Sequence, residues 1–339
     1  MPEGLLEGAG AVSNAAANAG FAEAASAAEN AAAALLQGNT ESLPAEFLFY
    51  VVERVLSLMR ENAAPVLTLA AVCIFSAFVS RLSAQNGLLS KDATGMGFSF
   101  VAALPAVGIF SAVFFVARGA MGRMEAIALA VIPVAAVLGT GTSSVWFLTA
   151  AQSVSALMRF VFLPFAAVYG AVAYSGAAVG ENFLTGLQKL MKTVFTWGLG
   201  LVMTVFSFCS AMSGLAAGAS LSLSGRTIKY AGGLIPVVGP YLSEAADTVL
   251  AGASLIRTAG GVCAAAAVLS VALPPLLELF AYFFAVCIVS AVCGAFADAR
   301  TKGMIAVTAE VAGMIVGLTA LMCAFFIINI AVIASVRAS

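Results

Sequence analysis

Histidine is absent from the 339 residues, and charged side chains make up only 9% of them. The first absence excludes Ser-His-Asp and Cys-His catalysis, His-x-x-Glu-His zinc sites and haem held through histidine. The second excludes a water-hydrated surface, because a soluble domain typically carries about 25% charged residues. With a formal net charge of -1 and no basic run, the chain lacks the local Lys and Arg excess that phosphate backbones demand, so nucleic acid is not expected as a partner. None of the five lysines follows a glycine and no Gly-x-x-x-x-Gly-Lys-Ser/Thr loop exists, which argues against nucleotide hydrolysis. Aspartate is confined to Asp92, Asp247 and Asp298, none deep in an apolar run, so an intramembrane aspartyl pair is not expected either. Cys73, Cys209, Cys263, Cys287, Cys293 and Cys323 lie in apolar stretches without a Cys-x-x-Cys pair. They read as small buried hydrophobes rather than metal or redox ligands. The expectation is a protein without cofactor, metal or catalysis of its own.

Hydrophobic residues make up 62% of the chain, mean hydropathy is +1.07, and the apolar residues are gathered into long runs. A helix needs roughly 17–25 apolar residues to cross about 30 Å of hydrocarbon. On that measure about seven spans are predicted, at 64–80, 96–117, 126–150, 160–180, 194–221, 262–297 and 307–334. The fold class is therefore all-α: one polytopic transmembrane helix bundle occupying 62–339, embedded in a lipid bilayer. Pro65, Pro105, Pro133, Pro164 and the pair Pro274-Pro275 lie in or beside these runs and favour kinked helices. The run 262–297 would make a straight helix of about 54 Å, so a break near Pro274 is expected.

Residues 1–44 are rich in Ala and Gly, with Glu3, Glu7, Glu23, Glu29 and Glu41 and no cation. They read as a mobile extramembrane segment, without the basic start and apolar core of a secretory signal. From 45 to 61, Glu46, Glu53, Arg54, Ser57, Arg60 and Glu61 share one helical face, which predicts an amphipathic helix lying in the membrane interface or packed on the bundle. A second such pattern follows the fourth span, where Glu181, Thr185, Gln188, Lys189 and Lys192 share a face: either an interfacial helix whose lysines could meet anionic headgroups, or the wet end of a neighbouring span. Lys and Arg divide about evenly between the two sides of a seven-span topology, so the positive-inside rule gives no orientation. The acidic start weakly favours an extracytoplasmic amino end.

Three Gly-x-x-x-Gly spacings, Gly176/Gly180, Gly214/Gly218 and Gly313/Gly317, would let helices approach closely, within the subunit or in a homo-oligomer. Glu278 and Glu310 are intramembrane carboxylates, candidates for an ion or proton site. A structural reading sits beside that one: each would fall in the first turn of a helix, Glu278 after Pro274-Pro275 and Glu310 at the start of the last span, where the helix dipole favours negative charge. The segment 222–261 has apolar pieces too short to span. Gly232, Gly233, Pro236, Gly239 and Pro240 interrupt its backbone, and Arg226, Lys229, Glu244, Asp247 and Arg257 give it charge of both signs. Broken backbone at membrane depth persists only when buried in protein or lining a wet cavity. A re-entrant or interfacial pore, gating or docking element is expected here, with an amphipathic surface loop as the plainer alternative.

Within that segment the order small-Arg226-Thr227-x-Lys229, Ile235-Pro236-Val237-Val238-Gly239, Asp247-Thr248-Val249 and Ser254 resembles the stage III sporulation protein AE family. The likeness covers roughly 195–335, and before it only the hydropathy profile agrees. Members of that family typically begin with a signal peptide and a longer amino-terminal region, from which the short acidic start here departs. The resemblance implies a multi-pass protein of the mother-cell membrane facing the forespore, partnered by other membrane subunits of a channel or secretion-like complex. Spacing alone also admits an autonomous permease with a site at broken helices, and Leu104–Gly108 faintly echoes Ile235–Gly239 as a repeat would.

Overall fold

A computed structural model describes residues 13, 14, 17, 26, 43–86, 91–139, 144–179, 182–212, 259–294, 297 and 299–335. Helix α1 runs Leu43–Glu61, α2 Ala63–Asn86, α3 Lys91–Gly139, α4 Ser144–Leu157, α5 Leu163–Val179, α6 Asn182–Met212, α7 Ala259–Cys293 and α8 Ala299–Ser335, and no strand occurs among the described residues. A π-helical turn, Met158–Phe162, joins α4 to α5 without a break; the Leu163 amide reaches back to the Met158 carbonyl. The expected acidic segment 1–44 and broken segment 222–261 lie almost wholly outside the described residues.

Helix α8 is the axis. Apolar on every side, it can be stable only if surrounded, and from 311 to 329 every residue but Ala320 is buried. Helices α3, α7 and α5 pack along it, with α4 beside its later turns. Outside this core the apolar character reverses direction: Leu67, Ile74 and Phe78 on α2, Phe100, Leu104 and Phe115 on α3, and Leu190, Trp197 and Leu201 on α6 all face outward. Water would not tolerate so much exposed apolar surface, whereas hydrocarbon solvates it. By length and composition four helical stretches among the described residues can cross a bilayer, Phe100–Ala130, Gln152–Val179, Ala266–Cys293 and Ala299–Asn329; Val51–Glu61 with Ala63–Val79, bent by 62°, is a fifth if the pair forms one span.

The expected span 194–221 is described only as far as Met212, in α6; elsewhere the helices depart from the hydropathy reading at two places, each with a physical cause. The runs 96–117 and 126–150 were separated at the charges Arg118, Arg123 and Glu125, yet α3 continues through them for 49 residues. No proline interrupts 118–125, and Ala120, Met121 and Met124 are fully buried on its inner side, so the helix is uninterrupted, with Arg118 and Arg123 exposed on it and Glu125 half-buried. The remainder of 126–150 divides between the end of α3 and the start of α4. The expected break at Pro274-Pro275 is likewise absent: α7 is continuous for 35 residues through both prolines. Packing against α8, α3, α1 and α2 holds it there, as neighbouring helices commonly do for proline in membranes.

Helix α1 packs on the bundle through its apolar face. Leu58 meets Leu277 and Ala281 of α7, with Val51, Val55, Met59 and Leu273 around them. Its charged residues Glu53, Arg54, Arg60 and Glu61 stay exposed. Asn62 makes the corner to α2: its amide and its side-chain Nδ2 both donate to the Leu58 carbonyl, at 3.0 and 3.1 Å. Tyr282 on α7 donates to Asn62 Oδ1 at 2.9 Å and pins the corner. Pro65 falls within the first four residues of α2, where a missing N–H costs nothing.

Candidate functional site

Charge inside an apolar bundle is expensive, so each ionisable group there should have a partner or a task. Glu310 has two partners. Lys192 of α6 places Nζ 2.7 Å from Glu310 Oε1, and Tyr169 of α5 donates to the same oxygen at 2.9 Å. Three helices, α5, α6 and α8, thus meet on one carboxylate. Half a turn away on α8, Tyr174 donates to Thr308 Oγ1 at 3.1 Å and lies 3.4 Å from the Ala106 carbonyl of α3. The Thr308 hydroxyl in turn donates to the Met304 carbonyl at 2.8 Å.

A second pair joins α3 to the π-helical turn. Arg159 Nη1 donates to Glu125 Oε2 at 3.0 Å. The guanidinium lies over Gly122, where a methyl group would sit 3.6 Å from it, and 5.4 Å from the Phe160 ring centre. Its Nε is buried without a hydrogen-bond acceptor.

The contacts also set depth. A methyl group at Gly303 would lie 3.6 Å from Ala177 Cβ; Thr308 meets Tyr174 and Glu310 meets Tyr169, so α8 and α5 run antiparallel in fixed register. From Ala177 to Arg159 the helical rise is about 27 Å at about 1.5 Å per residue, close to the thickness of a hydrocarbon core. The Lys192–Glu310–Tyr169 cluster falls between, about 12 Å from the Ala177 level.

The structure revises several expectations for these residues. Glu310 is eleven residues into α8, which begins at Ala299, and Glu278 is nineteen residues into α7, which begins at Ala259. Neither is in a first turn, so the helix dipole, whose influence fades within one turn, does not explain them. Glu310 is held instead by Lys192 and Tyr169. Glu278 is half-buried beside the α1 contact and has no ion pair or hydrogen bond among the described residues. Lys192, expected to face headgroups, is drawn to Glu310; Lys189 remains exposed. Residues 182–192 are the first turns of α6 itself, not a separate surface helix.

Gly313 and Gly317 are buried on the axial helix, so they serve packing within the subunit. Gly176 serves the same end on α5: a Cβ there would overlap the Gln188 amide of α6 and come within 3.3 Å of Leu184 Cβ. Gly180, Gly214 and Gly218 lie outside the described residues, as do Arg226, Lys229, Gly232, Gly233, Pro236, Gly239, Pro240, Glu244, Asp247 and Arg257. No group of three or more Cys, Asp or Glu among the described residues is placed to hold a metal ion. Sequence reasoning missed the Glu125–Arg159 pair, although a signal existed: Arg159 is the one charge between Glu125 and Glu181. Tyr169 and Tyr174 gave no comparable signal.

The family model described as stage III sporulation protein AE matches residues 27–337. The chain belongs to that family. The match takes in the amino-terminal half, where the sequence offered only its hydropathy, and it includes every helix described here. Stage III sporulation protein AE of Bacillus subtilis (strain 168) is 22% identical over 261 residues, which cover 74% of this chain and 65% of that relative. The chain therefore spans just under two thirds of the curated relative it matches. No solved structure is significantly similar to it. Family and apolar helices together describe a multi-pass membrane protein of sporulation.

Proposed function

We propose that this protein is a membrane subunit of a multi-protein channel or secretion-like complex that links mother cell and forespore during endospore formation, and that it carries out no catalysis. The observation that carries this reading is the family match across 27–337. The charge arrangement agrees with it, because Glu310 and Glu125 are held by cations between packed helices and serve to lock the bundle. The site of exchange with partners is the segment 222–261, with Arg226, Lys229, Asp247 and Arg257 among its charges and Pro236, Gly239 and Pro240 among its residues that disfavour a helix. The protein sits in the mother-cell membrane facing the forespore, beside other membrane subunits and further copies of itself.

One observation favours the permease reading: Glu278 is a half-buried carboxylate without a partner among the described residues. Two measurements separate the readings. The tagged protein, solubilised from sporulating cells, is expected to co-purify stably with other membrane proteins. Reconstituted alone in liposomes, it is expected to take up no solute driven by a sodium or proton gradient. Uptake by the protein alone that is lost in Glu278→Gln would overturn the subunit reading.

A further inference from the structure

We infer that Arg118, Arg123 and Arg159 form a site for the phosphate of an anionic lipid headgroup at one face of the bilayer. On two helices these arginines sit where an uncharged stretch ends, at one common level. On α3, residues 100–117 carry no charge and rise about 27 Å; on α5 and its preceding turn, residues 160–179 carry none and rise about 30 Å. The first stretch ends at Arg118 and the second starts after Arg159. The contact of Arg159 with Gly122 locks the two helices in register at that level.

The electrostatics there are unbalanced. Three guanidinium groups share one carboxylate, Glu125, which leaves an excess of two positive charges. Arg118 and Arg123 are exposed and have no ion pair among the described residues. Arg159 pairs with a carboxylate through Nη1 alone among the described residues. A phosphate oxygen is the acceptor such a group favours, because guanidinium donors match phosphate geometry.

There is also room for a headgroup and a path for its acyl chain. Gly119 is exposed, with nothing within 4 Å of where its Cβ would be. Phe115 and Phe160 both stand 66% exposed on the hydrocarbon side of this level, where a lipid tail would lie along them. A lipid with net negative charge is the occupant, since the phosphate of a zwitterionic lipid is offset by its own ammonium group.

Native mass spectrometry of the full chain in detergent tests the site, with phosphatidylglycerol or phosphatidylcholine titrated in. Phosphatidylglycerol is expected to bind at least tenfold more tightly than phosphatidylcholine. The variant R118Q/R123Q should lose roughly 30-fold in phosphatidylglycerol affinity, each basic residue near an anionic surface being worth about fivefold. Neither residue has an ion-pair partner among the described residues, so that variant is expected to keep the wild-type melting temperature; K189Q is the control, expected to bind as wild type does. Equal affinity for the two lipids, or undiminished binding by R118Q/R123Q, would overturn the inference. Displacement of the bound lipid by millimolar inorganic phosphate would assign the site to a free anion instead and overturn the lipid assignment.

Discussion

Replacing Glu310 by Gln removes one charge while keeping the shape of the side chain, so it isolates what the ion pair with Lys192 contributes. The two side chains are 24% and 44% exposed, so the pair is partly rather than fully desolvated. Breaking a fully buried pair costs about 3–5 kcal/mol, whereas interhelical polar contacts in membranes average about 0.6 and reach about 1.7 kcal/mol. Glu310→Gln, which strands an ammonium group about 12 Å from the nearer boundary, is expected to cost about 2 kcal/mol, between these bounds. Lys192→Gln should cost somewhat less, about 1–2 kcal/mol, because Glu310 keeps the Tyr169 hydroxyl. The double variant strands nothing. It should cost about 2 kcal/mol rather than the sum of the two singles, a coupling energy of about 1.5 kcal/mol. Unfolding by SDS titration in mixed micelles measures all four proteins, and Trp197, exposed on α6 five residues from Lys192, reports the helix directly. Additivity within about 0.5 kcal/mol would refute the reasoning, because it would mean that Lys192 and Glu310 do not depend on each other.

The same assay checks three further expectations. Gly176→Leu drives a side chain into Gln188 and Leu184, so the midpoint should fall by about 1–3 kcal/mol; no change would mean that α6 is not seated on α5 as described. Phe325→Ala opens the fully buried axis, where Phe325 packs edge-on against Phe326 at 5.7 Å, and should cost about 3–5 kcal/mol. Phe115→Ala on the outer face of α3 should cost under about 1 kcal/mol, and similar losses at the two positions would contradict the central placement of α8. Asn329 is fully buried with Nδ2 bonded to the Phe325 carbonyl and Oδ1 without a partner among the described residues. Asn329→Leu should therefore be neutral or stabilising by about 1 kcal/mol, and clear destabilisation would show that the oxygen is satisfied in the folded protein.

Composition made the helical membrane class legible, because a shortage of charge and long apolar runs leave few other solutions. It could not say where helices stop. Hydropathy treats Arg118, Arg123 and Glu125 as the end of a span, but a helix ends only when its backbone is interrupted, and Ala120, Met121 and Met124 keep α3 seated across the charged stretch. Charge likewise left open whether 182–192 belong to a neighbouring span, and they are the first turns of α6. Proline misled in the opposite sense at Pro274-Pro275, where lateral packing outweighed the lost backbone donors. Glu310 was legible as a carboxylate out of place, while its partners were not. Pairing depends on the register between α5, α6 and α8, which arises from contacts such as Gly303 on Ala177 and Gly176 on Gln188, and no single helix records it. The segment 222–261 lies almost wholly outside the described residues, and its role is proposed from its Pro, Gly and charge pattern and the family.

The central claim is that the protein works as a subunit and that 222–261 meets its partners. Single cysteines at Gly232, Ser243 and Ser254 in an otherwise cysteine-free protein, probed in sealed vesicles with a membrane-impermeant maleimide, test it directly. The expected result is labelling from one side when the protein is alone and protection at all three sites when the complex is assembled. Equal labelling with and without partners would contradict the claim and reduce the segment to a surface loop.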